Sequence, residues 1–217
     1  MKIGVIAGTP IDTQMGVDYI ISKGFEAIGF ACSASASQQN EMQILHKEEL
    51  LQIAINGCLG MVKQGAEGIF LNCNSLSGAI NIDRLKEEVP VCVVTPLDIY
   101  TLCAEKYSRL SILAANGQSL SAIEHTILEA NPGCMVFGAG ILPLVVAIES
   151  GTSSENIHRD LKLKQLTECF EAIGCEALIL GCTHFPYIEK EIRDAVSIEV
   201  INPSDQMLDI LKAQISE

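Results

Sequence analysis

No stretch of this 217-residue chain approaches the about 18 consecutive apolar residues of a membrane span. The opening segment Met1–Gly8 is apolar, but it has no charged leader and no long hydrophobic region. It reads as a first strand, not a signal peptide. Basic residues are scarce: 14 Lys and Arg stand against 27 Asp and Glu, for a net charge of −13. That balance disfavours nucleic acid and anionic membranes as partners, because both need clustered positive charge. The charges are dispersed, as on a solvated acidic surface. No C-x-x-C occurs, so zinc ribbons and thioredoxin-type sites lack their spacing. A P-loop and a Gly-x-Gly-x-x-Gly fingerprint are also missing; Gly4, Gly8 and Gly16 do not fit it. Neither a metal nor an organic cofactor is expected.

What the chain does have is a high apolar content, 48%, with mean hydropathy +0.31, enough for a well-filled core in one domain or two small ones. Its nine cysteines form an odd set. With no leader, that favours a reducing, cytoplasmic setting over a disulfide framework. Short apolar runs alternate with longer amphipathic stretches. The runs Lys2–Ala7, Ala27–Cys32, Gly68–Asn72 and Val91–Thr95 are candidate strands, followed by Leu110–Ala114, Met135–Gly138, Ala177–Gly181 and Ile198–Ile201. Their Val, Ile and Leu content shows little alternation, which suits parallel strands covered on both faces. Helical spacing runs through Glu41–Lys63, Ser154–Ile173 and Pro203–Ile215. The expected fold is α/β with right-handed crossovers.

The chain also repeats itself. Ala66-Glu67-Gly68-Ile69-Phe70-Leu71-Asn72-Cys73-Asn74-Ser75 parallels Cys175-Glu176-Ala177-Leu178-Ile179-Leu180-Gly181-Cys182-Thr183-His184, and Ile3–Gly8 parallels Leu110–Ala115. Cys73 and Cys182 lie 109 positions apart, about half the chain. The repeat implies two similar lobes, each a mainly parallel sheet flanked by helices: residues 1–97 and residues 98–217. The last helix, about 203–217, can cross back onto the first lobe. A site belongs at the carboxyl ends of the strands, where open α/β sheets bind ligands, with the two cysteines facing across a cleft.

Cys73 and Cys182 each end a strand just before a helix. Ser75 or Ser77 can cap the helix after Cys73, and Pro186 fits a first helical turn after Cys182. A helix N-terminus lowers a thiol pKa from its free value of about 8.5 and offers N–H groups to a carboxylate. Asn74, Ser75 and Thr183 add polar groups there. His184, two residues past Cys182, can poise that thiol or move a proton; a lone His is otherwise a satisfied structural residue. Ser75 holds the matching place after Cys73, so the two thiols would differ in basicity. The other seven cysteines, Cys32, Cys58, Cys92, Cys103, Cys134, Cys169 and Cys175, read as small buried hydrophobes. Opposed thiols suit inversion of a stereocentre, one removing a proton and the other supplying one.

Gly181-Cys182-Thr183-His184-Phe185-Pro186 resembles the Gly-Cys-Thr-His-aromatic-Pro motif of glutamate racemases, and Asn72-Cys73-Asn74-Ser75 their Cys-Asn-Thr motif. Pro143–Gly151 and Ile201–Ser204 resemble further segments of those enzymes, in the same order. The chain thus resembles the aspartate/glutamate racemase superfamily, which is cofactor-independent. The resemblance implies catalytic roles for Cys73, Cys182, His184 and Glu149, the last orienting His184 or binding the substrate ammonium. It implies substrate contacts at Gly8, Thr9, Asn74, Ser75, Asn116 and Thr183. The substrate would be a small molecule, an amino acid, aspartate or glutamate first.

The departures bear on the substrate. Ala7-Gly8-Thr9 stands where glutamate racemases carry Asp-Ser-Gly, and is closer to the Gly-rich turn of aspartate racemases. Asp12 either replaces the missing Asp or is an exposed loop or cap residue. Ala31–Ser35 stands where a Pro-Tyr-Gly loop is usual, and Ala115–Ser119 replaces a Thr-rich turn. Arg84 and Arg109 read as surface charges. Alternatives stay open: a related two-cysteine isomerase or hydantoin racemase, or an amino-acid-binding protein without catalysis. A thiol redox sensor is weaker, since opposed catalytic thiols are too far apart for a disulfide. A homodimer is the default assembly.

Overall fold

The computed structural model describes residues 1–33 and 47–215, and the chain divides into two compact units. One comprises Met1–Asp98 with Ser204–Glu217; the other is Ile99–Pro203.

In the first unit the order is β1 (Lys2–Ala7), α1 (Pro10–Ser22), β2 (Glu26–Ala31), α2 (Lys47–Lys63), β3 (Gly68–Leu71), α3 (Asn74–Ala79), α4 (Ile82–Glu88) and β4 (Cys92–Val94). The strands form a parallel sheet ordered β2-β1-β3-β4. α5 (Pro96–Lys106) carries the chain across the division between Asp98 and Ile99. The second unit continues with β5 (Arg109–Ala114), α6 (Gly117–Ala130), β6 (Met135–Gly140), α7 (Leu142–Glu149), α8 (Ser154–Asp160), α9 (Leu163–Ala172) and β7 (Ala177–Gly181). A 3-10 turn (Phe185–Ile188), α10 (Glu189–Ala195) and β8 (Glu199–Ile201) complete it. Its sheet is ordered β6-β5-β7-β8, again all parallel. The two sheets therefore have the same topology, and β3 and β7 hold equivalent places in it. α11 (Pro203–Ile215) is tied to α1 in the first unit, where Asp205 accepts from the Tyr19 hydroxyl at 2.7 Å and pairs with Lys23 at 2.8 Å.

The two cysteine-bearing segments are entered in the same way. Gly65 follows α2 and Gly174 follows α9, both with positive φ (93° and 83°), which glycine adopts without a Cβ penalty. In each, the glycine N–H bonds three residues back: Gly65 to Val62 and Gly174 to Glu171, both at 2.9 Å. The next N–H bonds five back: Ala66 to Met61 and Cys175 to Phe170, both at 3.0 Å. This is a Schellman closure. It turns the chain directly into β3 and β7, whose residues are all buried. Ile6, Leu71, Met61 and Leu51 centre one core; Leu113, Leu180, Phe185 and Ile192 centre the other.

Every candidate strand is present, with ends moved by at most two residues. Three expectations are corrected. β2 and β6, each at one edge of its sheet, are not covered on both faces but are half-exposed. Ser154–Ile173 is not one helix: Lys162, at φ 55°, breaks it into α8 and α9. The break lets Ile157 of α8 and Leu163 and Phe170 of α9 all reach the core, which one straight helix axis would not allow. Finally, Cys169 is exposed and Cys92 only half-buried, so neither is a core residue. The 41–46 portion of the expected helix Glu41–Lys63 lies outside the described residues, as do Ala34 and Ser35 of the Ala31–Ser35 segment. Among the described residues no helix is long and apolar enough to cross a membrane.

Candidate active site

At the carboxyl end of β3, Cys73 is itself the N-cap of α3. Its Sγ accepts from the Leu76 N–H at 3.5 Å. This corrects the expected cap. Ser77 instead donates its hydroxyl to the Cys73 carbonyl at 2.8 Å, and Ser75 sits half-buried on the first turn. Continuing the strand register brings Cys73 level with Gly8, and Cys32 level with it on the other side.

Buried polar groups gather around that strand end. Thr9 caps α1: its Oγ1 accepts from the Asp12 N–H at 3.1 Å and donates to Asp12 Oδ2 at 2.9 Å. Asp12 is 6% exposed. It is therefore a buried cap residue and not an exposed loop residue. The Asn72 amide donates to the Asp12 carbonyl at 3.3 Å, joining β3 to α1. The Ser33 hydroxyl donates to the Gly8 carbonyl at 2.7 Å, joining the end of β2 to the β1 turn. Asn74 is buried as the first residue of α3.

The Cys73 thiol is pushed up to about 12. Burial is the main cause and the Asp12 carboxylate adds to it, while the N–H groups of Leu76, Gly8 and Ser75 pull the other way. The expectation that the helix start would acidify this thiol is thus overturned. Loss of water around a buried sulfur outweighs a few N–H dipoles. Cys32 is likewise pushed up to about 12 by burial, with Cys73 and then Cys58 adding to it.

In the second unit Cys182 follows β7 and is 8% exposed. Its Sγ lies 3.6 Å from His184 Nδ1, and His184 Nε2 lies 3.1 Å from Glu149 Oε1. His184 is 5% exposed, while the Glu149 side chain, at the end of α7, is 39% exposed. The three form a chain from sulfur to imidazole to carboxylate. Pro186 stands in the first turn that follows, a 3-10 turn and not an α-helix. The Tyr187 hydroxyl donates to the Thr152 carbonyl at 3.1 Å, tying this turn to the loop just past Glu149. Thr183 is half-buried between Cys182 and His184. Asn116 caps α6, its Oδ1 accepting from the Ser119 N–H at 2.9 Å.

The structure thus brings Gly8, Thr9, Asn74 and Ser75 to the Cys73 end of one sheet. It brings Thr183, His184 and Glu149 to the Cys182 end of the other. Asp12, read from the sequence either as a replacement for the family's Asp or as a loop or cap residue, and Asn72, given no separate part, complete the first cluster. The signal for Asp12 was in the sequence: Thr9-Pro10-Ile11-Asp12 has capping-box spacing. Arg84 pairs with Glu48 and Glu88. Arg109 opens β5, at the end of that sheet away from Cys182, and donates to the Ile173 carbonyl at 3.1 Å. Among the described residues no three His, Cys, Asp or Glu side chains converge as metal ligands.

The chain is similar to known proteins over most of its length. A family model described as Asp/Glu/Hydantoin racemase matches residues 57–209. A glutamate racemase of Limosilactobacillus reuteri is 28% identical over 166 residues, covering 73% of this chain and 60% of that protein. The chain therefore spans less than two thirds of the length of this curated relative. Among solved structures, glutamate racemase from Francisella tularensis in complex with D-glutamate aligns with a TM-score of 0.72. Its identity is 21%, and the alignment covers 98% of this chain and 80% of that one. An aspartate racemase homologue from Pyrococcus horikoshii OT3 aligns with a TM-score of 0.73 at 23% identity, over 100% of this chain and 99% of that one. These structures share the two-sheet α/β fold.

Proposed function

The chain belongs to the Asp/Glu/hydantoin racemase family, and on that footing we propose that it racemises an amino acid without a cofactor, by proton transfer between two cysteines. The observation that carries this reading is the duplication: one thiol at the same strand end in each of two sheets of identical topology. A thiolate takes the α-proton from one face of the amino acid, and the second thiol gives a proton to the other face. In the reverse direction the roles exchange. His184 receives or returns the Cys182 proton at Nδ1, and Glu149 holds the ring through Nε2. The negative charge that develops on the substrate carboxylate is met by N–H groups at the start of α3 and of the turn after Cys182. His184 is an orienting and proton-holding group, and Thr183, Asn74 and Ser75 offer polar contacts to the substrate.

Aspartate and glutamate are the leading substrates, in line with the names of the relatives. A cyclic substrate of hydantoin type is the second reading, favoured by the breadth of the family and by the engagement of Arg84 and Arg109 elsewhere. One experiment separates them. The reduced protein is incubated in deuterated water with a panel of L- and D-amino acids and 5-substituted hydantoins, and loss of each α-proton is followed by NMR. Exchange at one or two amino acids is the expected result. Exchange only at a hydantoin carries the second reading. No exchange in the whole panel overturns racemisation.

A further inference from the structure

We infer that Tyr187 and Ser154 are positioning residues: their hydroxyls lock the helix that carries Glu149 onto the turn that carries His184, and so hold the carboxylate against the imidazole. The inference rests on the proposed role of His184 in catalysis, but its grounds are contacts made wholly within the second unit.

α7 needs outside support. Of its eight residues only Leu144 is buried, and Leu142 and Val146 are more than half exposed, at 55% and 57%. Glu149 is its last residue, with a side chain 39% exposed. A long carboxylate side chain at a helix end can swing out into water and gains rotamer freedom by doing so. Its 3.1 Å contact with His184 Nε2 therefore depends on where the end of α7 is held. The chain leaves α7 through a closed turn. The Gly151 N–H bonds to the Ile148 carbonyl at 3.0 Å and the Thr152 N–H to the Ala147 carbonyl at 3.1 Å, with Gly151 at φ 73°. That closure gives the Thr152 carbonyl a fixed place relative to Glu149.

The facing segment is fixed as well. The Phe185 N–H bonds to the Cys182 carbonyl at 3.0 Å and the Tyr187 N–H to the His184 carbonyl at 3.2 Å, so Tyr187 and His184 belong to one turn. α10 follows directly. It is anchored by Asn202, just past β8, whose amide donates to Glu189 Oε2 at 2.8 Å.

Three side-chain ties run between these two segments at nearly constant spacing. Glu149 meets His184, Thr152 meets Tyr187 and Ser154 meets Glu191, across 35, 35 and 37 positions. The Tyr187 hydroxyl donates to the Thr152 carbonyl at 3.1 Å, and the Ser154 hydroxyl donates to Glu191 Oε1 at 2.5 Å. Core packing accounts for neither tie. Tyr187 is 45% exposed. Glu191 is half-buried, and its Oε2 is buried with no hydrogen-bond partner among the described residues. An unsatisfied buried oxygen costs stability, so Glu191 is retained against that cost while its other oxygen holds Ser154. Together the two ties stop the end of α7 from sliding along the His184 turn.

A double-mutant cycle tests this. Y187F and S154A, singly and together, are compared with E149Q and with all three combined. Tyr187 and Ser154 act through Glu149, so their joint effect has a ceiling. The pair should lower kcat about 3-fold or more, within the about 10-fold loss expected of E149Q, with KM little changed. In the E149Q background the same pair should cost less than about 1.5-fold. A second readout needs no substrate. The ring 1H–15N correlations of His184, assigned with H184N among the four histidines, are recorded at one fixed pH. E149Q should shift them, and Y187F/S154A should shift them in the same direction by less. Y187F alone, which removes one hydroxyl from an exposed ring, should give smaller effects of the same sign and serves if the pair fails to fold. An unchanged kcat, an equal loss in both backgrounds, or ring signals that Y187F/S154A leaves in place overturns the inference. If the chain racemises nothing, the ring signals decide alone, so failure of the positioning and failure of the racemase reading are distinct.

Discussion

Replacing either Cys73 or Cys182 with alanine is expected to lower racemisation by about 10^3-fold or more, in both directions, with the fold retained. In the proposed two-base scheme both directions fall, because each thiol is base in one and acid in the other. Cys32 and His184 are not suited to take over. Across the Gly8 turn the Cys32 thiol is as strongly raised as Cys73 itself, and His184 is turned toward Cys182 and Glu149. The cost in stability is small by comparison. Cys73→Ala removes one cap acceptor, the Leu76 N–H contact at 3.5 Å, a loss of about 1 kcal/mol. Cys73→Ser separates the two effects, because a hydroxyl can still cap the helix but ionises far too high to exchange protons. Initial rates from each enantiomer, read by circular dichroism or chiral chromatography, together with urea unfolding of each variant, check the prediction. A Ser variant that is stable but inactive ties the loss to thiol chemistry.

The second large effect belongs to His184. His184→Asn is expected to lower kcat by about 10^2-fold near pH 7, with KM changed little, because in the proposed scheme the imidazole acts on Cys182 and not on binding. Without the imidazole, the Cys182 proton must pass to water or hydroxide, so the variant should recover part of its activity as pH rises toward 9. Glu149→Gln should give a smaller loss, about 10-fold, since Glu149 acts only through the ring at 3.1 Å and is partly exposed. A uniform loss at every pH would mean that His184 serves packing alone.

Much of this arrangement was legible in the residues. The paired runs ending in Cys73 and Cys182 marked β3 and β7, because central parallel strands are unbroken apolar runs in any context. Gly65 and Gly174 stood at the helix ends that feed them. What could not be read were features set by tertiary environment. The left-handed turn at Lys162 follows from the need of two short helices to reach one core. Cys73 outcompetes Ser75 and Ser77 as the cap of α3 because the strand end delivers its side chain to the Leu76 N–H. The sign of the Cys73 shift depends on burial and on Asp12, and a helix-terminus argument sees neither. Within the second site, the order Cys182, His184 was local in sequence, whereas the Glu149 contact joins residues 35 positions apart and rested on resemblance alone.

The central claim, proton transfer by two groups on opposite faces, is tested most directly by isotope tracing from a single enantiomer. The protein is given one pure enantiomer of its substrate in deuterated water, and both enantiomers are analysed during the first few per cent of conversion. Two thiols acting on opposite faces predict product carrying deuterium at the α-carbon, while the remaining substrate keeps its protium. Product that retains the substrate's own α-proton, or deuterium entering substrate as fast as product, would mean a single base serving both faces and would contradict the account.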